Sequence, residues 1–135
     1  MDRSERAILD EFGEKLIHEV RDDAFAFLQR IISGKMRDSR SNSLFEAYRR
    51  LDSEAASTLH RFLAAAADST FVRFLNFFDA NRVPLYFASK SGDVNDVQQL
   101  SDGLVGELYS DSGWLAKFSR YGEFLQPIEA EDSNY

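Results

Sequence analysis

Cysteine is absent from this chain of 135 residues. Its absence excludes disulfides, thiolate zinc sites, cysteine-ligated iron–sulfur clusters and cysteine nucleophiles. Small secreted domains are often stapled by disulfides, so a chain without cysteine is more typical of the cytoplasm. We therefore predict a cytoplasmic protein.

Long apolar runs are also absent. No run approaches the roughly 20 apolar residues that are needed to span a bilayer. The first residues, MDRSERAILDEFGEKL, are charged from the second position and do not have the pattern of a signal peptide. We predict neither a membrane span nor a secretory leader.

Positive charge is scarce, because 16 Lys and Arg residues stand against 23 Asp and Glu residues, for a net charge of −7. Binding to phosphates or to an anionic membrane needs clustered basic residues, so nucleic acid and membranes are poor candidate partners. A basic protein is the natural complement, since opposite fields speed encounter. With 44% hydrophobic residues, the chain is apolar enough to form one compact domain.

The first third of the chain has the spacing of a long amphipathic helix. Ser4 can cap it, and Gly34 can end it in the left-handed conformation that glycine accepts. Gly13 lies inside this helix and costs about 1 kcal/mol relative to alanine. The predicted apolar stripe consists of Ile8, Leu9, Phe12, Leu16, Val20, Ala24, Phe27, Leu28 and Ile31.

Residues 35–43 are predicted to form a net basic loop, and further helices follow up to residue 81. Their candidate caps are Asn42 or Ser43, Asp52 or Ser53, and Asp68 or Ser69. The last two helices are either separate or one kinked helix. In the run TFVRFLNFF, helical spacing predicts core packing of Phe71, Phe74, Leu75 and Phe78, and not base stacking.

Pro84 ends the helical run, and residues 81–89 are predicted to contain one short extended piece. Asp93 can cap a helix from Val94 to Leu108, residues 110–113 break it, and a short last helix begins at Trp114. The pattern predicts an all-α fold: a compact bundle of about five or six helices with at most one short extended segment. We predict one helical domain over residues 1–127 and an acidic, flexible tail over residues 128–135.

Candidate catalytic and metal-binding residues do not form a known motif. Glu14, His18 and Asp22 follow one another at four-residue steps, and His60 is the other histidine of the chain. The spacing matches neither Glu-x-x-His nor His-Glu-x-x-His, and a solvated helix face explains it. We predict no metal, no cofactor and no enzymatic activity; a metal-dependent helical enzyme centred on these residues is an alternative.

The stretch SDGLVGELYSDSGW, residues 101–114, combines glycines and acids without a basic residue. Gly103 and Gly106 are predicted to face inward and let a neighbouring helix pack closely, while Gly113 belongs to the turn before Trp114. Trp114 is either a core residue or an interface anchor. Between residues 91 and 116 there is no Lys or Arg, so the acids can steer a basic partner. The predicted partner-binding residues are Asp93, Asp96, Asp102, Glu107, Tyr109, Asp111 and Trp114.

Three segments, FLNFFDAN, SDGLVGELYSDSGWLAKFSRYG and HEVRDDAFAFL, resemble small bacterial cytosolic proteins that are found beside toxin genes. In size, acidity and lack of a catalytic motif the chain is similar to immunity proteins of contact-dependent inhibition systems. The resemblance implies a protein that binds one cognate toxin, in many cases a nuclease, and occludes its cationic site. We therefore predict a non-enzymatic inhibitor of a basic toxin. The alternative, a structural or adaptor subunit, predicts a broad exposed apolar patch.

Overall fold

Helices make up most of the computed structural model, which describes residues 3–121. The helices are α1 (Arg3–Leu16), a π-helix (Ile17–Asp22), α2 (Asp23–Ile32), α3 (Ser39–Tyr48), α4 (Ser53–Asn81), α5 (Val97–Leu100), α6 (Leu104–Leu108) and α7 (Trp114–Phe118). The strands are β1 (Tyr86–Ala88) and β2 (Val94–Asp96). The predicted all-α class is confirmed, and the predicted tail over 128–135 lies outside the described residues. Among residues 3–121, no helix is long and apolar enough to cross a membrane.

The π-helix between α1 and α2 changes which residues face the core. A π-turn takes in one residue more than an α-turn, so the inward face moves along the sequence. Arg21, Asp22 and Phe25 are buried, whereas Val20 is 51% exposed. The predicted stripe is therefore wrong at Val20, Ala24 and Phe27, whereas Ile31 is buried as predicted. The predicted end of this helical region is confirmed, because Gly34 has a φ of +75°.

The caps of α3 and α4 are aspartates. The Asp38 side chain accepts a hydrogen bond from the Ser41 N–H at 2.9 Å, so α3 begins earlier than the Asn42 or Ser43 cap predicted. The predicted Asp52 cap is confirmed, with the Ala55 N–H at 2.8 Å from its carboxylate. From there α4 runs for 29 residues without a break. Asp68 caps nothing, because its carboxylate accepts from the Arg21 guanidinium at 2.8 Å.

A β-hairpin replaces the start of the helix predicted after Asp93. β1 pairs with β2 in antiparallel register, with Phe87 opposite Asn95, and Gly92 turns the chain at a φ of +89°. Asp96, and not Asp93, caps the following helix, and its carboxylate also accepts from the Leu85 N–H at 2.9 Å. Residues 3–121 thus contain two short strands, where the sequence predicted at most one.

Two apolar clusters form the interior of the described part of the chain. The larger cluster joins α1, the second half of α4 and α5–α7, and its buried members are Leu9, Ile17, Phe71, Leu75, Val97, Leu104, Leu108, Trp114 and Leu115. The smaller cluster has Phe25 of α2 and Ala64 of α4 as its buried members. The first half of α4 therefore rests on a much thinner core than the second half.

Candidate protein-binding surface

The acids of residues 91–116 occupy different environments. Asp93, Asp102 and Asp111 are exposed, as the hypothesis of a negative surface requires. Asp96 is partly buried and serves as the cap of α5. Glu107 of α6 is also partly buried and forms an ion pair with Arg6 of α1 at 2.8 Å. The predicted acidic surface is therefore reduced to its three exposed aspartates.

Arg6 links Glu107 to a second carboxylate, that of Asp10. Its guanidinium donates to both, and these hydrogen bonds raise the pKa of Arg6. Burial acts to raise the pKa of Asp10, but hydrogen bonds from Arg6 and Lys117 outweigh it and hold that pKa below its usual range. The signal that the sequence offered was the four-residue spacing of Arg6 and Asp10. The pairs with Glu107 and Lys117 depend on the tertiary fold.

Trp114 is fully buried, which decides between its two predicted roles. Its indole N–H donates to the Asp10 carboxylate at 3.2 Å, and its ring packs edge-on against Phe12, with centroids 5.9 Å apart. A surface-anchor role for Trp114 is therefore wrong. Tyr109, the other predicted anchor, is 39% exposed.

The glycines of the segment do not form the predicted packing surface. A Cβ at Gly106 would meet nothing within 4 Å, and a Cβ at Gly103 would touch only the Asp79 carboxylate, at 3.9 Å. The prediction that both face a closely packed helix is wrong. Gly113 lies in the predicted turn, where its N–H donates to the Ser110 carbonyl at 3.1 Å.

The candidate metal ligands are held apart by other bonds. Asp22 is fully buried and accepts from the Ser119 hydroxyl at 2.8 Å and from the Arg120 N–H at 2.9 Å. His18 Nε2 lies 2.9 Å from the Phe118 carbonyl oxygen, and Glu14 is exposed. Within residues 3–121, no three His, Cys, Asp or Glu side chains come together in a way that could hold a metal ion.

His60, the remaining candidate, is buried and pairs with the partly buried Tyr48. The Tyr48 hydroxyl lies 2.8 Å from His60 Nε2, and the two rings are stacked with centroids 5.7 Å apart. Burial lowers the pKa of His60 and raises that of Tyr48. Within the described residues, His60 Nδ1 is buried without a hydrogen-bond partner. This pair joins α3 to α4 and does not face the other candidate ligands.

Helix α4 also carries an exposed apolar surface, called here the α4 face. The helix buries a narrow stripe of His60, Ala64, Phe71 and Leu75. Phe62 is 70% exposed, Phe77 55% and Phe74 49%, so the predicted burial of Phe74 is wrong. The α4 face consists of Leu59, Phe62, Ala66, Phe74 and Phe77.

One signal in the sequence marks this surface. Leu59, Phe62 and Phe77 fall outside the helical stripe that the core uses, so α4 is apolar on more than one side. Next to Leu59 and Phe62, the start of α4 forms a shallow groove, whose remaining lining residues are Leu51, Asp52, Glu54, Ala55 and Thr58. Exposed aromatic and aliphatic side chains beside a groove are typical of protein-binding surfaces.

Comparisons with known proteins identify no relative of this chain. No family model matches the sequence, and neither a curated protein nor a solved structure matches it. The functional argument therefore depends on the geometry of the molecule.

Proposed function

We propose that this protein is a non-enzymatic protein-binding domain that docks a partner protein on the α4 face. The observation that carries the proposal is the exposure of Phe62, Phe74 and Phe77 on one long helix. Large exposed apolar patches on globular domains mark interaction sites more often than isolated exposed residues do. The adaptor hypothesis predicted a patch of this kind.

Two of the three phenylalanine side chains of the α4 face pack against a further ring. Phe74 and Phe77 each pack edge-on against the partly buried Phe78, at centroid distances of 5.2 and 5.4 Å. Rings supported in this way lose little conformational freedom when they bind, which favours their use as anchors. Truncation of such an anchor typically costs about 2 kcal/mol or more of binding free energy.

The test first identifies a partner protein by its stoichiometric co-purification with the full chain. It then measures the affinity of that partner for three forms of this chain: the wild type, Phe62→Asp and Val94→Asp. Val94 is 65% exposed on β2, so it is a matched control for an apolar-to-acid change outside the α4 face. We expect Phe62→Asp to weaken the measured affinity at least about tenfold. The Val94→Asp chain should bind as the wild type does. Equal affinities for all three chains would contradict the proposal.

A second proposal, an immunity-type inhibitor of a basic toxin, is favoured by a different surface. Asp93, Asp102, Asp111 and Tyr109 are exposed in a segment without Lys or Arg. If this surface binds a basic toxin, association should slow markedly as salt rises, and Asp102→Asn with Asp111→Asn should reduce that salt dependence. An association rate that is independent of salt would exclude steering by this segment.

A further inference from the structure

The shape of the α4 face fits a helix laid along it. Successive helical residues turn by about 100°, which places Leu59, Phe62, Ala66 and Phe77 within about 60° of one another. The large apolar side chains stand at the two ends of the face, and the exposed residues between them are the small Ala66, Ser69 and Thr70 together with Arg73. An opposing helix can approach closely over the small residues while its apolar side chains contact the aromatic ends.

The charges on this part of α4 are positive. Between residues 55 and 78 the charged residues are Arg61, Asp68 and Arg73. Both arginines are exposed, whereas the Asp68 carboxylate is taken up by the buried Arg21 guanidinium at 2.8 Å. The guanidinium of Arg61 reaches Thr58 Oγ1 at 3.4 Å, which places it at the rim of the groove. By the same 100° step, Arg73 lies within the α4 face and Arg61 lies to one side of it, so the face is apolar with one cation on it and one beside it.

Two acids line the groove at the start of the helix. Asp52 caps α4, and Glu54 lies in its first turn, where negative charge offsets the helix dipole. Arg61 and Arg73 lie beyond that turn, separated by 12 residues, or about 18 Å along the axis. Carboxylates on a bound segment could therefore pair with Arg61 and Arg73, since the acids at the start of α4 lie in a different turn of the helix.

From this arrangement we infer that the partner segment of the α4 face is an amphipathic helix that carries carboxylates on and beside its apolar seam. The inference deepens the proposed function and rests on it. Leucine or phenylalanine side chains of the bound helix contact Phe62 and Phe77, and its Glu or Asp side chains pair with Arg61 and Arg73. These pairs form at short range, inside the screening length of about 8 Å at physiological salt, so the overall charge of −7 does not prevent them.

The test uses two labelled model peptides of 18 residues and fluorescence anisotropy with the full chain. Both peptides are helical and carry Leu and Phe on one face; the flanking positions are Glu in the first and Lys in the second. We expect the Glu peptide to bind at least about tenfold more tightly than the Lys peptide. The double variant Arg61→Glu, Arg73→Glu should reverse that preference, while the control Arg40→Glu, on α3, should leave it unchanged.

The possible outcomes separate this inference from the proposed function. Equal binding of the two peptides would overturn the assignment of carboxylates and leave apolar docking intact. Failure of both peptides, in a chain whose natural partner still depends on Phe62, would overturn a helical partner. The Glu peptide could also bind only to a triple variant of this chain, Glu129→Gln, Glu131→Gln and Asp132→Asn. That result would show that the chain's own acidic residues occupy the α4 face, and it would also overturn the inference. The proposed function fails only if Phe62→Asp leaves the natural partner bound.

Discussion

At residue 13, the absence of a side chain allows the one tryptophan of the sequence to enter the core. A Cβ at Gly13 would overlap the indole ring of Trp114. We expect Gly13→Ala to lower the free energy of unfolding by about 1–3 kcal/mol, the usual cost of overpacking. This sign is opposite to that expected from helix propensity alone, which favours alanine by about 1 kcal/mol. Urea unfolding followed by tryptophan fluorescence measures the difference.

Gly106 provides the matched control for this prediction. It also lies inside a helix, α6, but an added Cβ would meet nothing within 4 Å. Gly106→Ala should therefore leave stability unchanged or raise it by up to about 1 kcal/mol. If both alanine variants are stabilised, the close contact between Gly13 and Trp114 does not limit the fold.

Local signals predicted some residues well and others poorly. Asp52, Gly34 and Pro84 act through the backbone of their own neighbourhood, and each does what its residue type predicts. The role of Gly13 depends on its contact with Trp114, about a hundred positions away in the sequence. Helix propensity therefore predicts only that glycine destabilises the helix, and not that it makes room for the indole ring. The ion pair between Arg6 and Glu107 also joins residues that are far apart in the sequence, so the sequence did not predict it. This pair removes one acid from the predicted binding surface.

Among the elements, the long helices were predictable and the short ones were not. Helical spacing over many residues indicated α1 and α4, but it continued through Val94, where a hairpin forms. Val94 and Val97 fit a helix face equally well, yet the turn at Gly92 pairs residues 94–96 with β1. The spacing of apolar residues did not predict the π-helix. At this turn the inward face shifts by one residue and includes Arg21, whose buried guanidinium pairs with Asp68 on another helix.

The attachment of α3 to α4 is expected to make stability depend on pH. Burial lowers the pKa of His60, so the folded protein resists the proton that the unfolded chain takes up below about pH 6.5. The folded state is therefore penalised as pH falls through that value, and Tyr48 supplies no negative charge to offset it. We expect the free energy of unfolding, measured in urea, to fall between pH 7.5 and pH 5.5.

Two substitutions show whether His60 causes this fall. His60→Gln keeps a polar group near the Tyr48 hydroxyl but does not titrate, so its stability should change less over the same range. His18→Gln removes the exposed histidine and should retain the wild-type fall. A fall that persists unchanged in His60→Gln would assign the pH dependence to other groups.

Across the whole molecule, core and charge are both unevenly distributed. The larger cluster joins the two ends of the described chain to the second half of α4, whereas Phe25 and Ala64 are the buried members of the smaller one. The groove and Phe62 lie on the side of the smaller cluster. The exposed aspartates of residues 91–116 lie on the side of the larger cluster. The proposed docking surface is thus built partly on the half of the fold with fewer buried apolar residues, where we expect the lower local stability that is common for binding segments.

This unevenness predicts where the native protein opens first. Amides of α3 and the first half of α4 should exchange with solvent through local opening, and those of α1 and the second half of α4 through global unfolding. Phe25→Ala should lower protection mainly in the first set, whereas Leu75→Ala, at a cost of about 2–5 kcal/mol, should lower it in both. Native-state hydrogen exchange followed by mass spectrometry resolves the two sets. Because both variants shorten a fully buried side chain, equal loss of protection in both sets for Phe25→Ala would show that the two clusters unfold as one unit.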